Sequence, residues 1–335
     1  MGTKKITYEE IAKRSKKSVA TVSRVLNKSP HVTEKTRSEV IEAMQAMGMA
    51  VVPTELTPVS EQNLIIFNVP TLKNPFYSPI ASAASATAMA KGYSVLINEN
   101  PITADTIDDL IDLIRKTRAV GLVCANSLQE AHLNRLKELF PLVICCESGQ
   151  SAHVPFVTID DETAAYNAVH HILGFKKRRI ALINGPNSFK YSRARLAGYR
   201  QALLDAGLTI DRSLITEIGA DMDFDQAKAS CLHMLTSTNA PDAFFCISDV
   251  LAAAAIKAAL EMGRSVPEDI IVVGFDDIPI SSIMNPTITT VRQPTAQIGS
   301  LAIEMVIKQI EGEETWGNSI YLGTELIIRE SSQVR

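Results

Sequence analysis

Residues 7–27 read TYEEIAKRSKKSVATVSRVLN and indicate two short helices joined by a tight turn. Apolar residues recur at three- and four-residue steps in both segments: Ile11 and Ala12 in the first, and Val19, Val22, Val25 and Leu26 in the second. Ser18 directly precedes the second helix and is its predicted N-cap, because a serine oxygen can accept from an unpaired backbone N–H of the first turn. This packing leaves the other side of the second helix open to solvent.

The outward positions of the second helix carry side chains suited to a DNA groove. They are Ala20, Thr21, Ser23 and Arg24. Small and hydroxyl side chains let a helix approach base edges closely, and an arginine pairs with guanine or holds a phosphate. The segment predicts a DNA-binding helix-turn-helix, although any amphipathic helix pair shows the same periodicity.

The strings SVATVSRVLN at 18–27 and TEKTRSEVIEAMQAMG at 33–48 resemble the headpiece of the lactose-repressor/galactose-repressor family of bacterial transcription regulators. In that family a third helix follows the helix-turn-helix, and Thr33 would cap it here. Pattern and resemblance together give eight predicted DNA contacts: Thr7, Ser18, Val19, Ala20, Thr21, Ser23, Arg24 and Asn27.

Positive charge is concentrated in the segment that is predicted to bind DNA. Residues 1–47 hold ten Lys and Arg against five acids, so this segment carries +5, while the whole chain carries −4. An acidic protein with one basic module is expected if only that module touches phosphates. A solvated charged face is the alternative interpretation of the basic residues.

Composition predicts a cytoplasmic protein without a membrane span, a metal or a cofactor. No apolar run reaches the roughly 18 residues of a transmembrane helix, and the start MGTKKITYEE lacks the apolar core of a signal peptide. The five cysteines show no metal-ligand spacing, so reduced thiols in a core are expected.

From Asn63 onward, short apolar runs alternate with longer helical patterns, which predicts α/β architecture with parallel sheets covered by helices. The same alternation of strand and helix patterns begins again after Asp160, which indicates two doubly wound lobes with a cleft between them. We therefore predict a headpiece at 1–47, a proline-containing linker at 48–62 and a core at 63–335. Two chain returns divide the core into lobe 1, at about 63–160 and 292–323, and lobe 2, at about 161–291 and 324–335.

The core resembles the periplasmic-binding-protein-like core of the same family. Matching strings include NPFYSPI, RARLAGYRQAL, VPEDIIVVGFDDI and PTITTVRQP. Phe245-Cys246, Ser248-Asp249 and residues 325–330 are also similar to the cytidine-responsive branch of the family. The resemblance implies a small-molecule effector bound between the lobes.

Ligands of open sheets bind beyond the carboxyl ends of the strands, so polar and aromatic residues that follow strands are the predicted effector contacts. These are Phe76, Tyr77, Asp160, Arg195, Asp249 and Asp276. By resemblance, Arg195 and Asp276 match family residues that contact effector. A carboxylate and a guanidinium in one cleft suit the hydroxyl groups of a sugar or nucleoside. The alternatives are a helix-capping role for Asp249, a cap or internal pair for Asp276, and a lobe-bridging role for Arg195.

Two features depart from the family. The helix-turn-helix turn carries Lys16 and Lys17 where a glycine and an apolar residue are usual, so we expect a slightly opened turn or two amines directed at phosphate. The linker contains Pro53 and Pro58 where the family has a short hinge helix. Proline inside a helix costs on the order of 3 kcal/mol, so we predict an extended or irregular linker.

These observations predict a homodimeric repressor of a palindromic double-stranded DNA operator, modulated by a sugar or nucleoside. A secreted solute-binding protein would share the core but would not need a basic helix-turn-helix. An enzyme is disfavoured, because the chain lacks GxxxxGK[ST], GxGxxG, GxSxG and HExxH, and its six histidines form no ligand set. A cytoplasmic small-molecule-binding protein with weakened or atypical DNA binding remains the alternative.

Overall fold

The computed structural model describes residues 7–26, 32–47, 63–148, 150–313 and 319–333. The chain divides into two compact units, residues 1–61 and 62–335. The predicted linker at 48–62 and the predicted DNA contact Asn27 lie outside the described residues.

The described part of the first unit contains three helices, α1 (Tyr8–Ser15), α2 (Val19–Leu26) and α3 (Glu34–Gln45). Its small core is made of one apolar side of each helix: Ile11, Ala12, Val22, Val25, Val40 and Met44. Because each helix buries only a few side chains, this unit depends strongly on its caps and turns.

The second unit contains two six-stranded sheets. The strands are β1 (Leu64–Val69), β2 (Ser94–Glu99), β3 (Gly121–Cys124), β4 (Leu142–Cys145), β5 (Phe156–Ile159), β6 (Ile180–Asn184), β7 (Ile215–Glu217), β8 (Ala243–Cys246), β9 (Ile271–Asp276), β10 (Thr289–Arg292), β11 (Ser319–Leu322) and β12 (Glu325–Ile327). The helices are α4 (Tyr77–Ala90), α5 (Ile107–Thr117), α6 (Glu130–Leu139), α7 (Asp161–Gly174), α8 (Lys190–Asp205), α9 (Phe224–Leu235), α10 (Asp249–Glu261), α11 (Ile280–Ile283) and α12 (Thr295–Ile310).

The first sheet has the strand order β11-β5-β4-β3-β1-β2, and every neighbouring pair in it is parallel. The second has the order β12-β10-β9-β8-β6-β7, parallel except for the antiparallel pair of β10 and β12. The central strands are buried along their whole length, as parallel strands covered on both faces must be. The predicted α/β fold with two parallel sheets is confirmed.

The chain passes between the lobes three times, and the last two passages place α12 and β11 in lobe 1 but β12 in lobe 2. Close helix packing holds each lobe. In lobe 2, α7 lies so near α8 that a methyl group at Gly198 would overlap the carbonyl oxygen of Glu162. In lobe 1, Gly299 of α12 likewise lies against the backbone of Ile80 in α4. These crossings hold rigid helices behind the carboxyl ends of the strands.

Candidate functional site

The first helix of the headpiece is fixed by a reciprocal cap at Thr7. The Thr7 hydroxyl oxygen accepts from the Glu10 backbone N–H at 3.4 Å, and the Glu10 carboxylate accepts from the Thr7 N–H at 2.9 Å. This capping box satisfies two backbone donors that the helix itself cannot pair. Thr7 is exposed at this end of α1.

Ser18 caps the second helix, as predicted. Its hydroxyl oxygen accepts from the backbone N–H of Thr21 at 3.1 Å, and the two hydroxyl groups are 2.8 Å apart. Thr33, by contrast, stands at the N-cap of α3 without a side-chain bond to the backbone. Its hydroxyl instead lies 3.0 Å from that of Thr36.

The second helix turns one side to the core and the other to solvent. Val22 and Val25 are buried, while Ala20 and Arg24 are exposed and Thr21 and Ser23 are half-buried. The assignment of Val19 to the buried side is wrong: its side chain is 44% exposed. Val19 is the first residue of α2 and shares the outward surface with the predicted DNA contacts.

The turn between α1 and α2 does not open. Lys16 adopts a left-handed conformation with φ 55° and ψ 33°, and the Lys17 N–H donates to the Ala12 carbonyl oxygen at 3.1 Å. The Lys17 ammonium pairs with the Glu39 carboxylate of α3, so the expectation that both amines point at phosphate is wrong for Lys17. The glycine-type turn is retained at a cost of roughly 1 kcal/mol for a lysine in this conformation.

In the core, a cleft lies at the carboxyl ends of strands from both sheets. Lobe 1 contributes Asn74, Phe76, Tyr77, Cys146, Glu147 and Ile159; the remaining lining residues are Asp161, Tyr191, Arg195, Met222, Ile247, Asp276 and Gln293. The space between these atoms is about 400 Å³, but the centre of a water molecule can enter only about 20 Å³ of it. About one water fits such a volume, so the lobes are closed on each other.

Arg195 is the central cation of the cleft. Its Nε and Nη2 atoms both lie 2.9 Å from Oδ1 of Asp161, and Nη1 donates to the Ile247 carbonyl oxygen at 2.7 Å. The guanidinium stacks 3.6 Å from the ring centre of Phe275, a cation–π contact. Arg195 and Asp161 are almost fully buried. Removal of either partner would therefore leave an unpaired buried charge, which destabilises the fold strongly.

Lys190, the first residue of α8, bridges the two lobes. Its ammonium donates to Oδ2 of Asp161 at 2.8 Å, to the Thr158 hydroxyl at 3.0 Å and to the Ile159 carbonyl oxygen at 2.9 Å. These three bonds use all three protons of the ammonium. Asp161 is therefore neutralised by two cations.

Asp276 ends β9 in an unusual backbone conformation, with φ 104°. Its Oδ1 accepts from the Gln293 side-chain amide at 2.7 Å and lies 3.8 Å from Nη1 of Arg195. Burial raises the pKa of Asp276 to about 6, and the Arg195 charge and the Gln293 hydrogen bond offset part of that rise. Strained backbone at a buried polar residue is typical of binding sites.

Phe76 and Tyr77 enter the cleft from the start of α4, as an edge-to-face pair with ring centres 5.4 Å apart. Tyr191 of α8 approaches from lobe 2, with its ring 5.2 Å from the Arg195 guanidinium carbon. Burial raises the pKa of Tyr77 well above its ordinary value, so this phenol stays neutral. The aromatic surfaces offer a face for a flat or apolar part of a ligand.

Glu147 follows β4 by two residues and is 4% exposed. Its Oε2 accepts from the backbone N–H of Lys190 at 3.0 Å, which joins lobe 1 to the start of α8. Its Oε1 is buried and accepts no hydrogen bond from the residues that the structure describes. Burial raises the pKa of Glu147 to about 7, with the Lys190 N–H bond acting in the opposite direction.

Two predicted effector residues lie outside the cleft lining. Asp160 is exposed and caps α7, where it accepts from the Thr163 backbone N–H at 3.0 Å and from its hydroxyl at 2.7 Å. Asp249 is buried behind the cleft and accepts from the Ile278 N–H at 2.8 Å. Burial, followed by the charge of Asp276, raises the pKa of Asp249 well above its ordinary range.

The structure brings Phe76, Tyr77, Arg195 and Asp276 together and adds four residues that the sequence analysis missed. These are Glu147, Asp161, Lys190 and Gln293. Gln293 directly follows β10, and Glu147 and Asp161 follow β4 and β5 by two residues, so the rule about carboxyl ends of strands contained the signal for these three. Lys190 carried no such signal, because its role depends on the contact between lobes.

Two features of the described residues bear on metal binding and on membrane insertion. Within those ranges, no group of three or more His, Cys, Asp or Glu side chains has the arrangement of a metal site. No described helix has both the length and the apolar character needed to cross a bilayer.

Comparison with known proteins gives matches over both units. Residues 7–49 match the family of bacterial regulatory proteins called the lacI family, and residues 169–332 match the periplasmic binding protein-like domain. The chain is 32% identical over 330 residues to the HTH-type transcriptional repressor CytR of Escherichia coli strain K12, covering 98% of this chain and 96% of that protein. It is 30% identical to the HTH-type transcriptional regulator DegA of Bacillus subtilis strain 168, with 98% of both chains covered.

Solved structures agree with this result over nearly the whole chain. The lac repressor dimer bound to operator and the anti-inducer ONPF has a TM-score of 0.74 at 25% identity and covers 99% of this chain and 100% of that one. The complex of the transcriptional regulator CelR with cellobiose has a TM-score of 0.73 at 27% identity, with coverages of 98% and 100%. The chain therefore belongs to the lacI family of bacterial regulatory proteins, and it is a DNA-binding transcriptional regulator with an effector-binding core.

Proposed function

We propose that this regulator is a cytoplasmic repressor that binds a palindromic operator as a homodimer and responds to a sugar or nucleoside held in the cleft. A symmetric dimer suits a palindromic site, because each half-site meets an identical headpiece. The relatives support this: the lac repressor structure is a dimer on operator, and CelR is in complex with cellobiose.

The proposed DNA contacts are the exposed and half-buried residues around α2. Ala20, Thr21 and Ser23 are small enough to bring the helix against base edges, while Arg24 supplies a charge for guanine or phosphate. The hydroxyl groups of Thr7 and Ser18 already cap the two helices, so their contribution to DNA is a hydrogen bond from a fixed position. Val19 would give an apolar contact, and Asn27 keeps its predicted role from the sequence.

The proposed effector contacts are Arg195, Asp276, Phe76 and Tyr77. Asp276 accepts from ligand hydroxyl groups, Arg195 donates to them, and the aromatic rings cover an apolar face. Asp160 and Asp249 leave the proposed set, because their carboxylates bind backbone N–H groups away from the cleft. The observation that carries the proposal is the buried Arg195–Asp276 pair inside a cleft formed by both lobes.

The proposed mechanism is a population shift. Lys190 and Ser127 make contacts across the closed cleft: the Lys190 N–H reaches Glu147, and the Ser127 hydroxyl donates to the Ser188 carbonyl oxygen at 2.7 Å. A ligand that binds one arrangement of the lobes more tightly than the other shifts the lobes toward that arrangement, and so closes or opens the cleft. Operator affinity then changes by the same coupling free energy, typically 5- to 150-fold.

The test begins with selection of an operator from random duplexes by the full-length protein, followed by titration of the recovered duplex in fluorescence anisotropy. Cellobiose, ribose and the common nucleosides are then added in turn. We expect a palindromic sequence, salt-sensitive binding, and at least one compound that changes the operator Kd by about 10-fold.

Matched variants separate the cleft from general effects on the fold. Asp276→Asn keeps the shape of a buried acceptor but removes its charge, so the response to the effector should disappear. Asp225→Asn changes an exposed carboxylate of α9 and should leave the response intact. The proposal is wrong if no duplex is preferred over genomic competitor, or if Asp276→Asn responds like the wild type.

A further inference from the structure

Two adjacent cysteines stand at the carboxyl end of β4. In a regular strand, neighbouring side chains point to opposite faces, so adjacent thiols would lie on opposite sides of the sheet. Here the strand ends at Cys145, and Cys146 adopts a left-handed conformation with φ 67°. The Sγ atoms of the two residues are 3.6 Å apart, in hydrogen-bond contact. Strand β4 thus ends in a contacting pair of thiols.

The backbone of Cys146 is held on both sides of this turn. Its N–H donates to the Val157 carbonyl oxygen at 2.8 Å, and its carbonyl oxygen accepts from the Thr158 hydroxyl at 3.2 Å. Both partners belong to β5. A left-handed conformation costs a residue with a side chain roughly 1 kcal/mol, and such strain is typical of functional sites. The contact between the thiols is therefore fixed by the neighbouring strand.

The two thiols differ in access. All five cysteines lie within the described ranges, and four of them are buried: Cys124, Cys145, Cys231 and Cys246. Cys146 is half-buried and lines the effector cleft, so it faces the space that small solutes enter. Cys145 is in contact with it from the core. One thiol is therefore open to attack from the cleft, and the second is placed to react with the product.

The closed cleft protects this pair. The hydrogen bond with Cys145, followed by burial, raises the pKa of the Cys146 thiol well above its ordinary value. Cysteine reacts as the thiolate, so a thiol that keeps its proton is slow to oxidise. The cleft also has room for about one water molecule. Reactivity should therefore increase when the lobes part.

We propose that Cys145 and Cys146 form an oxidisable dithiol, which hydrogen peroxide converts into a disulfide and which couples oxidation to the arrangement of the lobes. The effect on operator binding rests on the proposed function. An S–S bond is about 2 Å long, so the sulfur atoms must approach by roughly 1.6 Å. The next residue, Glu147, accepts from the Lys190 N–H across the cleft, so a movement at the end of β4 acts directly on a contact between the lobes.

The reaction has two steps. Peroxide transfers one oxygen atom to the Cys146 sulfur, which gives a sulfenic acid and one water molecule. The Cys145 sulfur then attacks the Cys146 sulfur, the S–S bond forms, and the hydroxyl group leaves as water with the Cys145 proton. The two thiols together lose two electrons and two protons, and peroxide is reduced to two water molecules.

A disulfide between adjacent residues is readily reversed. Consecutive Cα atoms are about 3.8 Å apart, whereas the Cα atoms of ordinary disulfides are about 4.4–6.8 Å apart. Strained disulfides are the labile and regulatory ones, because thiol reductants reopen them. The pair is therefore suited to signalling and not to stabilising the fold.

The test follows one peptide by mass spectrometry. The full-length protein is reduced, freed of reductant, treated with hydrogen peroxide, alkylated and digested with trypsin. The peptide 138–176 contains Cys145 and Cys146 and no other cysteine. We expect it to lose the mass of two hydrogen atoms and to escape alkylation, and dithiothreitol should restore both thiols. Alkylation of both cysteines, or stable addition of oxygen to them, would overturn the inference.

Variants separate the two steps. In Cys145→Ala the second thiol is absent, so oxidation should stop at a sulfenic acid on Cys146, which dimedone traps. Cys146→Ser should form neither product. Cys231→Ala removes a buried thiol of lobe 2 and should form the disulfide like the wild type. A melting curve for each variant establishes that it is folded.

Operator affinity gives the second measurement. On the selected duplex, peroxide should change the Kd of the wild type and of Cys231→Ala by about 5-fold or more, and dithiothreitol should reverse the change. Cys146→Ser should not respond. An unchanged Kd of the fully oxidised wild type, or a wild-type response in Cys146→Ser, would contradict the coupling.

Failure of this inference can be told from failure of the proposed function. If a metabolite changes operator affinity but the peptide stays reduced in peroxide, the regulator remains as proposed and only the role of the thiols is lost. If the disulfide forms but no duplex is preferred over genomic competitor, the modification site stands, and the proposed function falls together with the effect on DNA.

Discussion

Replacing Glu147 by glutamine should stabilise the ligand-free protein at alkaline pH and have little effect in acid. Glutamine keeps the size of the side chain and an acceptor for the Lys190 N–H, but it has no charge to bury. The ordinary pKa of a glutamate is 4.5, and burial raises that of Glu147 to about 7. The charges that face this carboxylate, on Lys190, Asp161 and Arg193, act only on the glutamate, and their effect is already contained in its raised pKa.

The magnitude follows from proton linkage. A raised pKa in the folded state means that the folded protein holds this proton more tightly than the unfolded chain does. Stability from Glu147 is therefore present in full below pH 4.5 and is lost as the pH rises through about 7. Each tenfold difference in proton affinity corresponds to roughly 1.4 kcal/mol, so the ionised carboxylate costs the fold about 3 kcal/mol at pH 8.

Urea unfolding of the core at pH 5 and pH 8 measures this effect. The difference in unfolding free energy between Glu147→Gln and the wild type should grow by about 2–3 kcal/mol in favour of the variant between the two pH values. Glu138→Gln, at an exposed site, reports the effect of removing a surface carboxylate. A difference that stays constant with pH would show that Glu147 is solvated in the folded protein, and the reasoning would be refuted.

Three further predictions concern packing, turn geometry and DNA. Gly198→Ala places a methyl group against the neighbouring helix backbone and should lower the unfolding free energy by about 1–3 kcal/mol, whereas Gly174→Ala, with nothing nearby, should not; urea midpoints distinguish them. Lys16→Gly relieves a left-handed turn and should stabilise the headpiece by about 1 kcal/mol in thermal unfolding; no gain would contradict it. Arg24→Gln should reduce the slope of log affinity against log salt by about 0.9, while Lys17→Gln, whose amine is held by Glu39, should leave it unchanged.

The architecture was predictable because it repeats over many residues. Buried parallel strands produce continuous apolar runs, and the intervening helices carry a different period, so a local error does not alter the pattern. The antiparallel return at β12 was expected as a chain passage but not as a strand direction. The direction of β12 depends on which edge of the sheet is free to pair with it, and the residues of the strand itself do not contain that information.

Single positions in the site were harder to predict, and Asp160 shows why. Asp160 and Asp161 follow the same strand, and the strand-end pattern by which we predicted Asp160 fits both equally. Capping decides between them: Asp160 occupies the N-cap and turns its carboxylate back to the Thr163 N–H. Asp161, one position later, is rotated about the helix axis toward Lys190 and Arg195. A shift of one residue in the helix start would exchange their roles.

The start of α8 shows a second limit. Helix α8 begins at Lys190 and has no local side-chain cap. Its first N–H is accepted by Glu147, which is 43 residues earlier and belongs to the other lobe. A cap supplied across the cleft leaves no trace in neighbouring residues, so periodicity alone does not identify the first residue of this helix.

The same contact links effector chemistry to lobe closure. Closing the cleft gives Glu147 the Lys190 N–H but leaves its second oxygen buried without a donor from the described residues, which costs about 1–3 kcal/mol. A donor that reaches that oxygen in the closed arrangement removes this cost. The resulting preference for closure is roughly 5- to 150-fold, the range of ordinary allosteric coupling. Asp249, behind the cleft and covered by Gly274, is out of reach of any ligand and cannot contribute to this preference. One carboxylate in the lining is thus sufficient to make the lobe equilibrium depend on the chemistry of the bound molecule.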